Sequence, residues 1–244
     1  MPIPTRPTHP SPDPRYRVLV TDDGSRTLLD PSTGVTFHSG CGAASETRVV
    51  YLENSGVADR LAAGRPTRVL ELGVGLGWNL LLTADAAAAH AAPLTYVGYE
   101  HSPLSVDTLR SIHIHDHLNT PALADDFHHH WPALITNGQT HYTSGGIDIQ
   151  LCNDDFTRTP ATSAEPFDAI YFDPFDPATN PTCWTPSVFT HLRRVAHANT
   201  RLVTYAISRV VKDALRSSGW TITKTPGPAG GKREVLAASP PSQP

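Results

Sequence analysis

Thr67-Arg68-Val69-Leu70-Glu71-Leu72-Gly73-Val74-Gly75-Leu76-Gly77-Trp78 is the stretch on which the fold turns. A mostly apolar run enters three glycines at alternate positions, and residues 78–90 are then rich in leucine and alanine. That order reads as strand, sharp turn, helix. Glycine permits the turn and close approach of a ligand, while the first amides of the following helix point toward it.

Outward from this unit the pattern repeats. Residues 94–100 read as a strand and 104–115 as a helix after the start signal Ser102-Pro103. A polar, histidine-rich region over 117–138 holds one helical stretch around 123–130, and further strands are expected at 147–151, 167–172, 201–206, 221–224 and 234–237. Seven strands interleaved with helices predict an α/β fold, a Rossmann-like, mostly parallel, doubly wound sheet. Upstream, 17–21 reads as a strand of a hairpin, with 28–30 and 35–37 as partners. A helix is expected over 43–54, N-capped by Ser45 and continued over 57–63. The organisation expected is one domain over 17–238, with a small β-rich extension (17–65) and a core (66–238). The proline-rich ends, 1–16 and 239–244, are expected to be flexible tails.

With 244 residues, one sizeable domain is the simplest expectation. No apolar run approaches the roughly 20 residues that span a bilayer, and no basic segment leads into an apolar signal core, so a soluble cytoplasmic protein is expected. Cys41, Cys152 and Cys183 lack the count and clustering of a disulfide framework or zinc site. The formal net charge is −4, which weakens a nucleic-acid partner without abolishing one, because a local patch can be hidden in the total.

A dinucleotide turn wants G-x-G-x-x-G, whereas here the third glycine comes one residue early and Glu71 precedes the first. This spacing favours S-adenosylmethionine (SAM), whose ammonium group an acidic, carbonyl-rich turn accepts. A structural or nucleotide-binding turn stays open. Glu100 ends the next strand, where a carboxylate accepts ribose hydroxyls. Asp154 is the choice for the adenine amino group, with Asp155 as a cap or the two roles reversed. Tyr171-Phe172-Asp173-Pro174-Phe175-Asp176-Pro177 begins as a buried strand and breaks at the sheet's carboxyl edge, exposing Asp173 to the cleft. There a carboxylate can orient and deprotonate an amine while Phe175 stacks on a flat substrate. The strings His113-Ile114-His115-Asp116-His117 and His128-His129-His130 read as polar surface, so no metal is expected. No nucleophile motif is legible.

Taken together, Phe37-His38-Ser39, Glu46-Thr47, Val50-Tyr51-Leu52, the glycine turn with Trp78-Asn79, Tyr99-Glu100-His101-Ser102-Pro103-Leu104, Trp131-Pro132, the Asp173-x-Phe175-x-Pro177 loop with Asn180-Pro181 and Trp184, and Gly231-Lys232-Arg233-Glu234 resemble the MnmC-like methyltransferase family. This is the methyltransferase domain of bifunctional tRNA wobble-uridine enzymes, with its free-standing relatives. The resemblance covers about residues 21–237. It implies a class I SAM-dependent methyltransferase acting on the exocyclic amine of 5-aminomethyl-2-thiouridine in tRNA. Gly73, Gly75, Gly77 and Asn79 would line the methionine side, Glu100 and Asp154 would hold the nucleoside, and Asp173 would face the amine. Phe175 with Lys232 or Arg233 would meet the uridine and its phosphate, with Pro174 and Asp176 also in the substrate set. The chain departs from the family at Pro174, where a small residue is usual, and at Asp176, a second negative charge. The flavin-dependent oxidoreductase half is not expected in 244 residues, so another enzyme would deliver the precursor. Two alternatives stand beside this reading: N-methylation of a small amine or specialised metabolite, and a non-catalytic nucleotide-fold binding protein.

Overall fold

The computed structural model describes residues 6–158 and 163–241. Its N-terminal part is a three-stranded antiparallel sheet of β1 (Thr8–Pro10), β2 (Arg17–Val20) and β3 (Arg26–Leu29). The tail expected over 1–16 therefore contains a strand. Proline lacks a ladder donor, but β1 is an edge strand of three residues, where that loss is tolerated. Residues 1–5 and 242–244 of the expected tails lie outside the described residues.

The main sheet comprises β4 (Thr67–Leu72), β5 (Leu94–Tyr99), β6 (Gln139–Ser144), β7 (Ile147–Cys152), β8 (Phe167–Phe172), β9 (Ala196–Thr204), β10 (Thr221–Pro226) and β11 (Glu234–Ser239). Their spatial order is β10-β11-β9-β8-β4-β5-β7-β6. The five strands from β9 to β7 are parallel. β11 runs antiparallel between β9 and β10, and β6 is an antiparallel edge strand on β7. The seven expected strands are thus joined by an eighth, β6. Its alternating exposed and buried residues, Gln-Thr-His-Tyr-Thr-Ser, carry too little apolar character to stand out in the sequence.

The helices are α1 (Ala43–Glu46), running directly into a π-helix over Thr47–Glu53, then α2 (Val57–Ala62), α3 (Trp78–Ala89), α4 (Val106–Arg110), α5 (Ala122–Asn137), α6 (Pro186–Arg194) and α7 (Arg209–Ser217). Gly42, not Ser45, caps α1, and the Ser45 hydroxyl donates to Asp23 Oδ2 at 2.7 Å. α4 is shorter than expected and gives way to a 3-10 turn at Ile114–His117. α5 is longer and runs through Pro132, held by the buried side chains of Trp131 and Leu134 on either side.

The sheet divides the core in two. Val69, Tyr96, Ala169 and Tyr171 pack toward the π-helix, α3 and α5, while Leu70, Leu72, Ile170 and Phe172 pack toward α6 and α7. Side chains alternate along a strand, so Glu71 and Asp173 inherit the face of Val69 and Tyr171. α3 is buried on nearly every side, which is what an all-round apolar helix between a sheet and further helices requires.

Candidate active site

The chain goes from β4 outward through β5 to β7, then returns to place β8 on the other side of β4. The crevice beyond the carboxyl ends of β4 and β8 is therefore the topological switch point, where ligands bind in such sheets. The glycine turn and the Asp173 loop meet there. Gly73 has φ 91°, and a Cβ on it would lie 2.8 Å from the Asp173 carbonyl oxygen, so a side chain here would push the two loops apart. Between them opens a cleft of about 330 Å³.

On the β5–β7 side, Glu100 faces the cleft with one carboxylate oxygen accepting from Gly75 N and the other from Ser102 N, each at 2.8 Å. A carboxylate has roughly four acceptor sites, so lone pairs remain for ribose hydroxyls. Asp155 and Phe156 also line this side. Asp154 does not; it lines an adjoining shallow depression with His101 and Arg158. Of the pair expected to serve the adenine amino group and the cap, it is thus Asp155 that reaches the main cleft, the reversed order of the two roles, although Asp155 Oδ1 also accepts from the Thr157 amide and hydroxyl.

On the β8 side, the Asp173 carboxylate is held at both oxygens. Tyr51 of the π-helix donates its hydroxyl to Oδ1, and Asn79 Nδ2 donates to Oδ2 at 2.8 Å. The second Asn79 amide proton goes to Glu71 Oε1 at 2.8 Å, Asn79 Oδ1 accepts from Thr47 at 2.9 Å, and Glu71 Oε2 accepts from Tyr96 at 2.8 Å. Burial pushes the Asp173 carboxyl well above the usual carboxylate range, against the lowering effect of the Tyr51 bond, with Glu46 and Glu71 adding repulsion. Glu71 is pushed up to about 8 by burial, partly opposed by its bonds from Asn79 and Tyr96.

Of the residues singled out in the sequence, Gly73, Gly75, Glu100, Asp173, Pro174 and Phe175 line the cleft. Glu71, Gly77 and Asn79 do not. Glu71 points beneath the turn because strand alternation turns it toward α3, and Asn79 is saturated by its three partners. Gly77, with φ 84°, starts α3 and leaves room for Phe127, which a Cβ would approach to 2.8 Å. Asp176 instead closes its own loop by accepting from Ala178 N and Thr179 N. Lys232 and Arg233 stand outside the cleft, Lys232 with Nζ 4.5 Å over the Tyr205 ring. The outer wall comes from Arg15, Tyr16, Phe37 and His38 of the N-terminal part, to which no role was assigned from sequence. Phe37 meets Phe175 edge to face at 5.0 Å and Tyr16 at 5.4 Å. The quoted motifs Phe37-His38 and Val50-Tyr51-Leu52 were the available signal. His113, His115 and Asp116 bring ligand atoms within 4.8 Å of one another away from the cleft, with side chains about half exposed.

A mostly parallel α/β sheet with a glycine turn, a carboxylate at the end of the next strand and a deep acid at the switch point defines a class I SAM-dependent methyltransferase. The chain belongs to the S-adenosyl-L-methionine-dependent methyltransferase family whose model matches residues 119–241. It is 32% identical over 225 residues to a tRNA 5-methylaminomethyl-2-thiouridine biosynthesis bifunctional protein MnmC from Burkholderia thailandensis, covering 90% of this chain and 34% of that protein. The protein of the same description from Aromatoleum aromaticum is 30% identical over 223 residues, with the same shares covered. The chain thus spans about a third of the length of these curated relatives. Among solved structures, MNMC2 from Aquifex aeolicus shares the fold with a TM-score of 0.74 at 20% identity, covering 98% of this chain and 74% of that one. Among the described residues no helix is long and apolar enough to cross a membrane.

Proposed function

We propose that this methyltransferase acts on tRNA, transferring the methyl group of SAM to the exocyclic amine of 5-aminomethyl-(2-thio)uridine at the wobble position, and that it works in the cytoplasm. The observation that carries the reading is Asp173, a carboxylate of raised proton affinity set between the glycine turn and an aromatic mouth. An aminomethyl group is largely protonated near neutral pH, and its nitrogen lone pair must be free to attack. Asp173 takes the proton. The C–N bond then forms as the C–S bond breaks, leaving S-adenosylhomocysteine. Phe37 and Phe175 offer the nucleobase a stacking surface, and Glu100, Asp155 and Phe156 hold the adenosine. SAM supplies the activated methyl; the protein supplies orientation and a proton acceptor.

The relatives, named for tRNA 5-methylaminomethyl-2-thiouridine biosynthesis, support this acceptor. The test is transfer of radiolabelled methyl to bulk tRNA from a strain lacking the modification, with nucleoside analysis of the product. Label in methylaminomethyl-uridine is expected. Label only in small amines, with tRNA untouched, overturns the reading in favour of a small-amine enzyme.

A further inference from the structure

We infer that the basic rim formed by the ends of β9 and β10, the start of α7 and the turn into β11 is the surface on which the RNA backbone docks while a nucleotide enters the cleft. This rests on the tRNA reading above and adds where the polyanion lies.

Because β10 is antiparallel to β11, and β11 to β9, the carboxyl end of β10 shares an edge with those of β4, β8 and β9. That is the edge of the cleft. Arg209 and Lys212 stand in the first turn of α7, Lys224 near the end of β10, and Lys232 and Arg233 just before β11. From residue 205 onward six Lys and Arg face two Asp and Glu, in a chain whose net charge is −4. The other flank of the cleft is the reverse: Glu100, Asp154 and Asp155 with Arg158. Asp176 of the Asp173 loop aside, the carboxyl edge is therefore polarised, anionic on the Glu100 flank and cationic beyond Asp173.

The carboxylates on the basic side do not hold their cations firmly. Arg209 and Arg216 share Asp213 at 3.4 and 3.6 Å, and Lys224 meets Glu234 at 2.7 Å, all with side chains at least 44% exposed. Exposed pairs of this kind are weak and yield readily to phosphate. Lys232 links rim to site, because it lies on Tyr205, whose hydroxyl donates to the Pro174 carbonyl at 3.0 Å. Of the large apolar side chains left exposed among the described residues, Phe175, Ile207 and Val210 lie at this same edge. A basic surface with interspersed apolar groups suits a nucleic-acid strand with partly unstacked bases.

The test compares the full chain with Arg209→Gln/Lys212→Gln/Lys224→Gln by filter binding to unmodified bulk tRNA over a salt series, with SAM affinity and thermal unfolding as controls. The triple variant is expected to bind tRNA at least roughly tenfold more weakly near 0.1 M salt, with a log–log salt slope smaller by about 2, and SAM binding unchanged. Arg65→Gln/Arg110→Gln, far from this rim, is expected to bind as the wild type. Equal affinity and slope in wild type and triple variant overturn the inference, as does weakened binding with an unchanged slope; either leaves the rim to an acidic protein or to no partner. Failure of the wild type to bind tRNA at all instead overturns the wobble-uridine reading on which it rests.

Discussion

Asp173 meets no cation within hydrogen-bond reach among the described residues, only the neutral donors Tyr51 and Asn79. Its proton affinity is thus set by burial and tempered by two hydrogen bonds, an arrangement suited to a group that must accept a proton and give it up in each turnover. Asp173→Asn keeps the shape and removes the carboxylate proposed as the base. Its kcat is expected to fall by about 10²- to 10⁴-fold with SAM affinity changed less than a few fold, measured by steady-state transfer and calorimetry. Parallel loss of both quantities would place Asp173 in cofactor binding. Tyr51→Phe removes a bond that favours the carboxylate, so the Asp173 pKa rises. Activity that requires the ionised form then loses its acid limb at a higher pH, shifted upward by about one unit, the equivalent of roughly 1.4 kcal/mol. A pH–kcat profile identical to wild type would show that Tyr51 serves packing alone.

At the scale of elements, the cleft is assembled from pieces of unequal legibility. The glycine turn, β5 with Glu100 and the Asp173 loop were readable, because strand-to-turn transitions leave apolar runs ending in glycine or proline. The π-helix was not. Residues 43–54 show helical spacing whether bonds close at four or five residues, so sequence predicts a helix but not the widened turn carrying Thr47 and Tyr51 toward Asn79 and Asp173. Glu71 was misplaced for a different reason: acidity beside a glycine turn suggested a ligand, whereas period-two alternation from Val69 already turned the side chain inward. The outer wall was missed because it comes from the N-terminal part, and nothing local in Phe37 records a partner, Phe175, more than a hundred residues away. Phe37→Ala tests that wall. If Phe37 stacks on the acceptor's base, losing that aromatic pair is worth about 0.5 to 1.5 kcal/mol, so KM for the acceptor is expected to rise up to about tenfold while the SAM Kd holds. An unchanged acceptor KM would remove the N-terminal sheet from substrate recognition.

For the whole molecule, the buried ionisable groups give folding a pH dependence with two limbs of different origin. His38 and His128 are each lowered to about 4 by burial. Their depressed values stabilise the fold above the ordinary histidine range, near pH 6.5, and that contribution is lost as pH falls toward 4. Glu71 acts in the opposite sense. Its value is raised to about 8, so its contribution is complete below about pH 4.5, where folded and unfolded chains both hold the proton, and is lost as pH climbs to 8. Asp173, raised in the same way, adds to this alkaline limb. Stability is therefore expected to peak between roughly pH 5 and 6.5 and to decline on both sides. Glu71→Gln isolates one limb, since the amide oxygen can still accept from Asn79 while the ionisable group is gone. Between pH 5 and 8 the wild type is expected to lose on the order of 3 to 5 kcal/mol more than this variant, roughly ten degrees in Tm for a domain of this size. The acid side should be unchanged, because the histidines remain. Calorimetric Tm values from pH 4 to 9 on both proteins decide the matter. Curves that stay parallel above pH 5 would mean that Glu71 is ionised in the folded protein throughout, and that its bonds from Asn79 and Tyr96 outweigh its burial.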